Sequence, residues 1–138
     1  MLIFIDTSSL VKRYIEETGS PEVDQLFSEQ NDIVIASITS LEIRSALNRK
    51  LRENTISKDT YDKALGFWKD DIEVFDFVPF DSIVIDKAAE LIESHGTRTL
   101  DAIQMGSALV SNPDRIVTSD RQMHQILNSV VADKVQII

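Results

Sequence analysis

Apolar residues fall into two alternating kinds of pattern along the chain. Short β-rich runs occur at Leu2 to Ile5, Asp32 to Ala36, Val74 to Val78, Arg115 to Val117 and Val135 to Ile138, each too brief for a helix and bounded by polar or turn-forming residues. Helical spacing fills the intervals. Ile43, Leu47 and Leu51 stand at i, i+4 and i+8 within Ile38 to Glu53, and Tyr61, Leu65 and Trp68 continue the theme within Ser57 to Ile72, which predicts a helical hairpin. Further helices are expected at Ser8 to Glu17, Glu22 to Gln30, Asp81 to Ser94, Thr99 to Val110 and Gln122 to Val130. Gly19-Ser20-Pro21 breaks the first from the second, and His95-Gly96 ends the one that begins at Asp81.

Strands separated by helices predict an α/β fold of three layers, α/β/α, around a mostly parallel central sheet of about five strands. The 138 residues, with only four Gly and three Pro and no repeat or linker, suit one domain over residues 1–138. The first apolar run has four residues and no basic lead, so it is not read as a signal peptide, and no later run is long enough to span a membrane. With no cysteine there is no disulfide framework and no thiolate metal site. A cytoplasmic protein without membrane association is expected.

In open parallel sheets, ligands bind beyond the carboxyl ends of the strands, near the point where strand order reverses. Four acids lie at such junctions or at helix starts: Asp6 after the first strand, Glu42 in the helix after the second, Asp101 in the first turn of the helix at Thr99, and Asp120 after the strand at Arg115. Each has an ordinary explanation. Thr39-x-x-Glu42 is a capping-box pattern, Thr99 with Asp101 is a hydroxyl cap with a first-turn acid, and Asp6 and Asp120 suit helix N-caps. Together they mean more, because parallel strands would bring them to one edge. Two like charges about 4 Å apart repel by about 4 kcal/mol at an effective dielectric near 20, more than a cap returns. A hard divalent cation among them, Mg²⁺ or Mn²⁺, would relieve that repulsion and suit phosphoryl chemistry.

Net charge is −9, from 14 basic and 23 acidic residues, which argues against a general nucleic-acid binder but not against a nuclease with a local basic patch. Arg44, Arg49, Lys50 and Arg52 fall within nine positions. Arg49 projects within about twenty degrees of Glu42, two turns further along the helix, and with Lys12 and Arg98 it is a candidate for contacting substrate. His95 and His124 sit at no predicted strand end. Gly19, Gly66, Gly96 and Gly106 are isolated, so no phosphate-cradling loop exists. Ser8 stands two residues after Asp6, against a phosphatase needing a paired Asp there, and a receiver domain would need an acidic pair after its first strand.

In order and spacing, "IFIDTSSLVKRY", "SITSLEIRSAL", "RTLDAIQMGSAL" and "IVTSDRQM" resemble the acidic motifs of PIN-domain ribonucleases, and in length as well as motifs the chain is most similar to the VapC-type toxins of toxin–antitoxin pairs. The resemblance implies a metal-dependent endoribonuclease with Asp6, Glu42, Asp101 and Asp120 as metal-binding acids, Thr7 and Thr118 as supporting hydroxyls, and products with a 5′ phosphate and a 3′ hydroxyl. Ser119 and the "IQMG" after Asp101, which includes Gln104, are variable positions that decide nothing in this resemblance. A cognate antitoxin, an RNA substrate and a homodimer are implied partners, with exposed aromatic surface around Tyr61, Phe67 and Trp68 compatible with them. The alternative is a non-catalytic PIN-fold interaction module that uses the helical hairpin for partner contacts.

Overall fold

The computed structural model describes all 138 residues. Five strands, β1 (Leu2–Ile5), β2 (Asp32–Ala36), β3 (Asp76–Val78), β4 (Arg115–Thr118) and β5 (Val135–Ile137), form one sheet in the order β3-β2-β1-β4-β5. All four pairings are parallel, with Phe4 opposite Val34 on one side and Ile116 on the other. Connections from β1 run first to β2 and later, from β3, across to β4, so the order reverses at β1. That is the place where a crevice is expected.

Helices cover both faces, as the alternation requires. On one side lie α1 (Thr7–Leu10), α2 (Ser20–Ser28), α3 (Thr39–Arg52) and α4 (Lys58–Asp71); on the other lie α5 (Ser82–His95), α6 (Thr99–Ser111) and α7 (Arg121–Val130). Successive side chains of a strand point to opposite faces, so Ile3 and Ile5 enter the first core and Phe4 enters the second. Ile33 and Ile35 divide from Val34 and Ala36 in the same way. On the second face α5 and α6 approach closely, because a Cβ on Gly106 would sit only 3.2 Å from the Ala88 backbone nitrogen and 3.3 Å from the Val84 carbonyl oxygen. Glycine lets α6 lie tightly against its neighbour.

Three expectations change. The helix foreseen over Ser8 to Glu17 is one α-turn followed by a 3₁₀ turn at Val11–Arg13, because the buried Ser20 hydroxyl donates to the carbonyls of Lys12 and Ile15 and draws that backbone out of the helical ladder. The third strand is shorter than Val74 to Val78, since Val74 lies in an exposed turn. Trp68 is not on the surface. It is fully buried, edge-on to Tyr14 and tilted against Phe75, and only Phe67 of that aromatic group is truly exposed. The helical hairpin of α3 and α4 stands as expected.

Candidate active site

Asp6, Glu42, Asp101 and Asp120 line one cavity of about 560 Å³ at the carboxyl edge of the sheet. Different elements deliver them: the end of β1, the first turn of α3, the first turn of α6, and the junction of β4 with α7. No Lys or Arg forms an ion pair with any of the four.

Asp6 is buried and held by a polar web. Its carboxylate caps α1 by accepting from the Ser9 amide at 3.0 Å, and it also accepts from the hydroxyls of Ser8 (2.8 and 2.9 Å) and Thr118 (2.8 Å). Burial nevertheless dominates and raises its pKa from the ordinary 3.8 to about 6; the hydrogen bonds from Thr118, Ser8 and Ser9 pull downward, and the charge of Asp120 adds a smaller upward push. The Ser8 hydroxyl in turn accepts from the Ser119 amide, and the hydroxyls of Ser9 and Ser119 lie 2.9 Å apart. These bonds tie the end of β1 to the end of β4.

Asp120 caps α7 through the Met123 amide at 2.9 Å, while its own amide donates to Thr118 Oγ1. Asp101 makes no cap. The N-cap of α6 is Arg98, without a side-chain capping bond, and the half-buried Asp101 carboxyl has its pKa raised by desolvation and then by Asp120, with the Arg98 charge opposing. Asp120 is thus the negative neighbour that both Asp6 and Asp101 feel.

Glu42 stands somewhat apart and also fails the capping-box reading. The N-cap of α3 is Ile38, with no side-chain cap. Instead Glu42 Oε1 accepts from the Thr7 hydroxyl at 2.9 Å and from the Gln104 amide. Gln104 Nε2 lies 2.9 Å from Thr7 Oγ1 and 3.0 Å from Thr39 Oγ1 as well, and Gln104 Oε1 is buried with no partner. Gln104 therefore holds Glu42 from α6, on the other side of the sheet edge, a role its sequence context did not reveal. The available signal was spacing: three residues after Asp101 on a helix is the same face. Ser119 was equally missed.

Among the expected substrate contacts, Arg49 lines the cavity. Arg98 is near enough for its charge to favour the ionised form of Asp101. Lys12 leaves the set, because its ammonium donates to the Ile138 carbonyl at 3.2 Å and it does not line the cavity.

A metal must meet the donors actually present. The cavity offers carboxylate and hydroxyl oxygens, with no Cys in the chain and neither His95 nor His124 in its lining, a set suited to a hard divalent cation. The compact four-carboxylate cluster expected from the motifs is not preformed: no three acids converge closely enough to hold an ion between them. One or two carboxylates with waters and substrate oxygens would complete the shell, as Mg²⁺ commonly requires.

A parallel α/β sheet whose reversal point carries uncompensated acids defines a class of acid-site α/β domains. The PIN domain family model matches residues 3–127, and this chain belongs to that family. Ribonuclease VapC45 of Mycobacterium tuberculosis (strain CDC 1551 / Oshkosh) is 28% identical over 125 residues, covering 89% of this chain and 87% of the relative; Ribonuclease VapC49 of M. tuberculosis (strain ATCC 25618 / H37Rv) matches to the same extent. The fold is similar to that in the crystal structure of VapBC2 from Rickettsia felis bound to a DNA fragment from their promoter, with TM-score 0.69 and 16% identity over 100% of this chain and 99% of the other. It is also similar to FitAB bound to an IR36 DNA fragment, with TM-score 0.69 and 19% identity over 98% and 94%.

Proposed function

We propose that this protein is a metal-dependent endoribonuclease and the toxin of a toxin–antitoxin pair, cleaving RNA phosphodiester bonds with Mg²⁺ or Mn²⁺ at the cavity that holds Asp6, Glu42, Asp101 and Asp120. The observation that carries the reading is that four unpaired acids from separate elements line one cavity, although two of them serve no helix cap. Neither Glu42 nor Asp101 makes a capping bond there. The names of the two mycobacterial relatives point the same way.

Bound at the carboxylates, the cation would supply charge neutralisation at the scissile phosphate and a more acidic water. The protein's own groups do the rest. Thr118, Ser8 and the Ser9 amide hold Asp6 in one orientation, while Thr7 and Gln104 hold Glu42. Ile38, Leu41 and Leu100 give the cavity an apolar rim, and Arg49 in its lining would meet a phosphate adjoining the cut.

The antitoxin is the second part of the proposal: a basic or Arg-bearing segment would be drawn to a cavity of uncompensated acids on a chain of net charge −9. A homodimer is proposed with it, using apolar surface such as Ile83 and Ile85 of α5. A cytoplasmic site of action follows from an RNA target; no helix is long and apolar enough to cross a membrane. Incubating the protein with a mixed RNA pool in Mg²⁺, Mn²⁺ or EDTA tests the activity. Cleavage that needs the metal and disappears in Asp101→Asn is expected, and equal cleavage by Asp101→Asn would overturn the site.

A further inference from the structure

The basic cluster on α3 is divided by the structure. Lys50 is paired with Glu17 at 3.3 Å. Arg44, Arg49 and Arg52 are exposed, make no ion pair, and line a second cavity of about 730 Å³ between α3 and α4. Ser45 and Arg49 line both this cavity and the carboxylate cavity, so the two are continuous. Tyr61 is the one hydrophobic residue of the basic cavity, and Glu53 its one acid. Three unpaired guanidinium groups in a wall with little apolar surface, on a chain carrying nine excess negative charges, select for an anionic and hydrophilic ligand.

Helix geometry limits the ligand further. Arg44, Asn48 and Arg52 stand at i, i+4 and i+8, a stripe of about 12 Å along α3. Neighbouring phosphates along a single strand are about 6 to 7 Å apart, roughly twice the axial rise per base in a duplex, so such a stripe faces about two to three consecutive phosphates. Arg49 stands beside this stripe, rotated toward the face of α3 that carries Glu42, and lines both cavities.

We infer that Arg44, Asn48, Arg49 and Arg52 form a track for the phosphate backbone of a single RNA strand, holding the nucleotides on one side of the bond presented to the carboxylates. The inference rests on the ribonuclease reading for its direction into the acid cavity, and it deepens that reading by assigning a subsite of several nucleotides. Guanidinium groups bind phosphate with paired N–H donors and carry no base information, so the track fixes affinity and register rather than sequence.

Binding in EDTA separates this from cleavage. Anisotropy of a fluorescein-labelled, mixed-sequence 12-nucleotide single-stranded RNA is followed with the intact protein at several salt concentrations. Arg44→Ala/Arg52→Ala should weaken binding about tenfold or more at low salt and flatten the plot of log affinity against log salt by about 1.4, the loss of two phosphate contacts. Arg44→Lys/Arg52→Lys should keep most of the slope. No RNA binding by the wild type, an unchanged slope in the Ala variant, or equal losses in the Ala and Lys variants would overturn the track. Arginine-dependent binding of poly-glutamate with RNA binding untouched would assign the cavity to an acidic polypeptide instead. Metal-independent failure of cleavage with the slope result intact would remove the ribonuclease reading alone.

Discussion

Thr118 and Asp6 are 112 residues apart in the chain, yet the Thr118 hydroxyl donates to Asp6 Oδ2 at 2.8 Å across the β1–β4 pairing. The same hydroxyl oxygen accepts from the Asp120 amide at 3.0 Å. One threonine at the end of β4 therefore orients a buried carboxylate and the backbone of the acid that caps α7.

Replacing Thr118 with Val should cost about 1 to 3 kcal/mol at pH 7, where Asp6 is ionised and loses a charge-assisted hydrogen bond. At pH 5 the loss should shrink, because a largely protonated Asp6 depends less on donors, and its pKa should move above about 6. Thr118→Ser should restore both. Urea unfolding at the two pH values, with Asp6 titrated by NMR, checks the set.

Asp6 also predicts how stability changes with pH in EDTA. Its folded pKa of about 6 exceeds the unfolded 3.8, so between those values the folded state binds more protons and stability falls as pH rises. Asp101 shifts in the same direction. The metal-free protein should therefore melt at a lower temperature at pH 7 than near pH 5, with Asp6 contributing about 1 kcal/mol of that difference. Thermal melts in EDTA across pH 4.5 to 7.5 read this. A melting temperature rising steadily to pH 7 would contradict the burial of an ionisable Asp6.

Asp101 makes no cap bond and is disfavoured as an anion by desolvation and by Asp120. Asp101→Asn should melt higher than wild type in EDTA, and the order should narrow or reverse in millimolar Mn²⁺, which stabilises the wild type by binding its folded state. A variant less stable by the same amount in both buffers would make Asp101 a helix-start residue served by the helix dipole.

Asp120 separates capping from chemistry. Asn keeps a side-chain oxygen for the Met123 amide and Ala does not, so Asp120→Ala should be about 1 kcal/mol less stable than Asp120→Asn. Both should lose RNA cleavage. Denaturation and cleavage assays on the pair give the two readings independently.

Gln104→Leu keeps the approximate volume but removes the amide that reaches Glu42, Thr7 and Thr39. Cleavage should fall at least tenfold through loss of Glu42 orientation, as displacement of a positioned group commonly costs. Stability should fall by about 1 to 2 kcal/mol, because the buried Thr39 hydroxyl and Glu42 lose their donor while the unpartnered Oε1 that is removed offsets part of the loss. Single-turnover cleavage and urea unfolding measured together distinguish positioning from collapse.

Much of this was legible from pattern. Four-residue apolar runs such as Leu2 to Ile5 have one reading in a chain of alternating strands and helices, and β1 and β2 have the expected bounds. The end of α3 and the start of α6 were equally plain. Failures arose where a distant group overrode local preference. The helix after Asp6 ended early because Ser20 claims two of its carbonyls, and Trp68 sank inward because Tyr14 and Phe75 provide a pocket for it. Lys12 was lost to the Ile138 carbonyl at the opposite end of the chain.

By itself the sequence determined the α/β order, the two-faced burial of the strands, and the four acids at helix starts, because hydrophobic period and strand-end chemistry are local properties. Tertiary structure alone decided what each acid does. Asp6 and Asp120 cap helices and face the cavity at once, whereas Glu42 and Asp101 cap nothing. A carboxylate's protonation and orientation depend on burial and on donors far away in the chain, such as Thr118 for Asp6 and Gln104 for Glu42, and those meet only when β1, β4, α3 and α6 have packed.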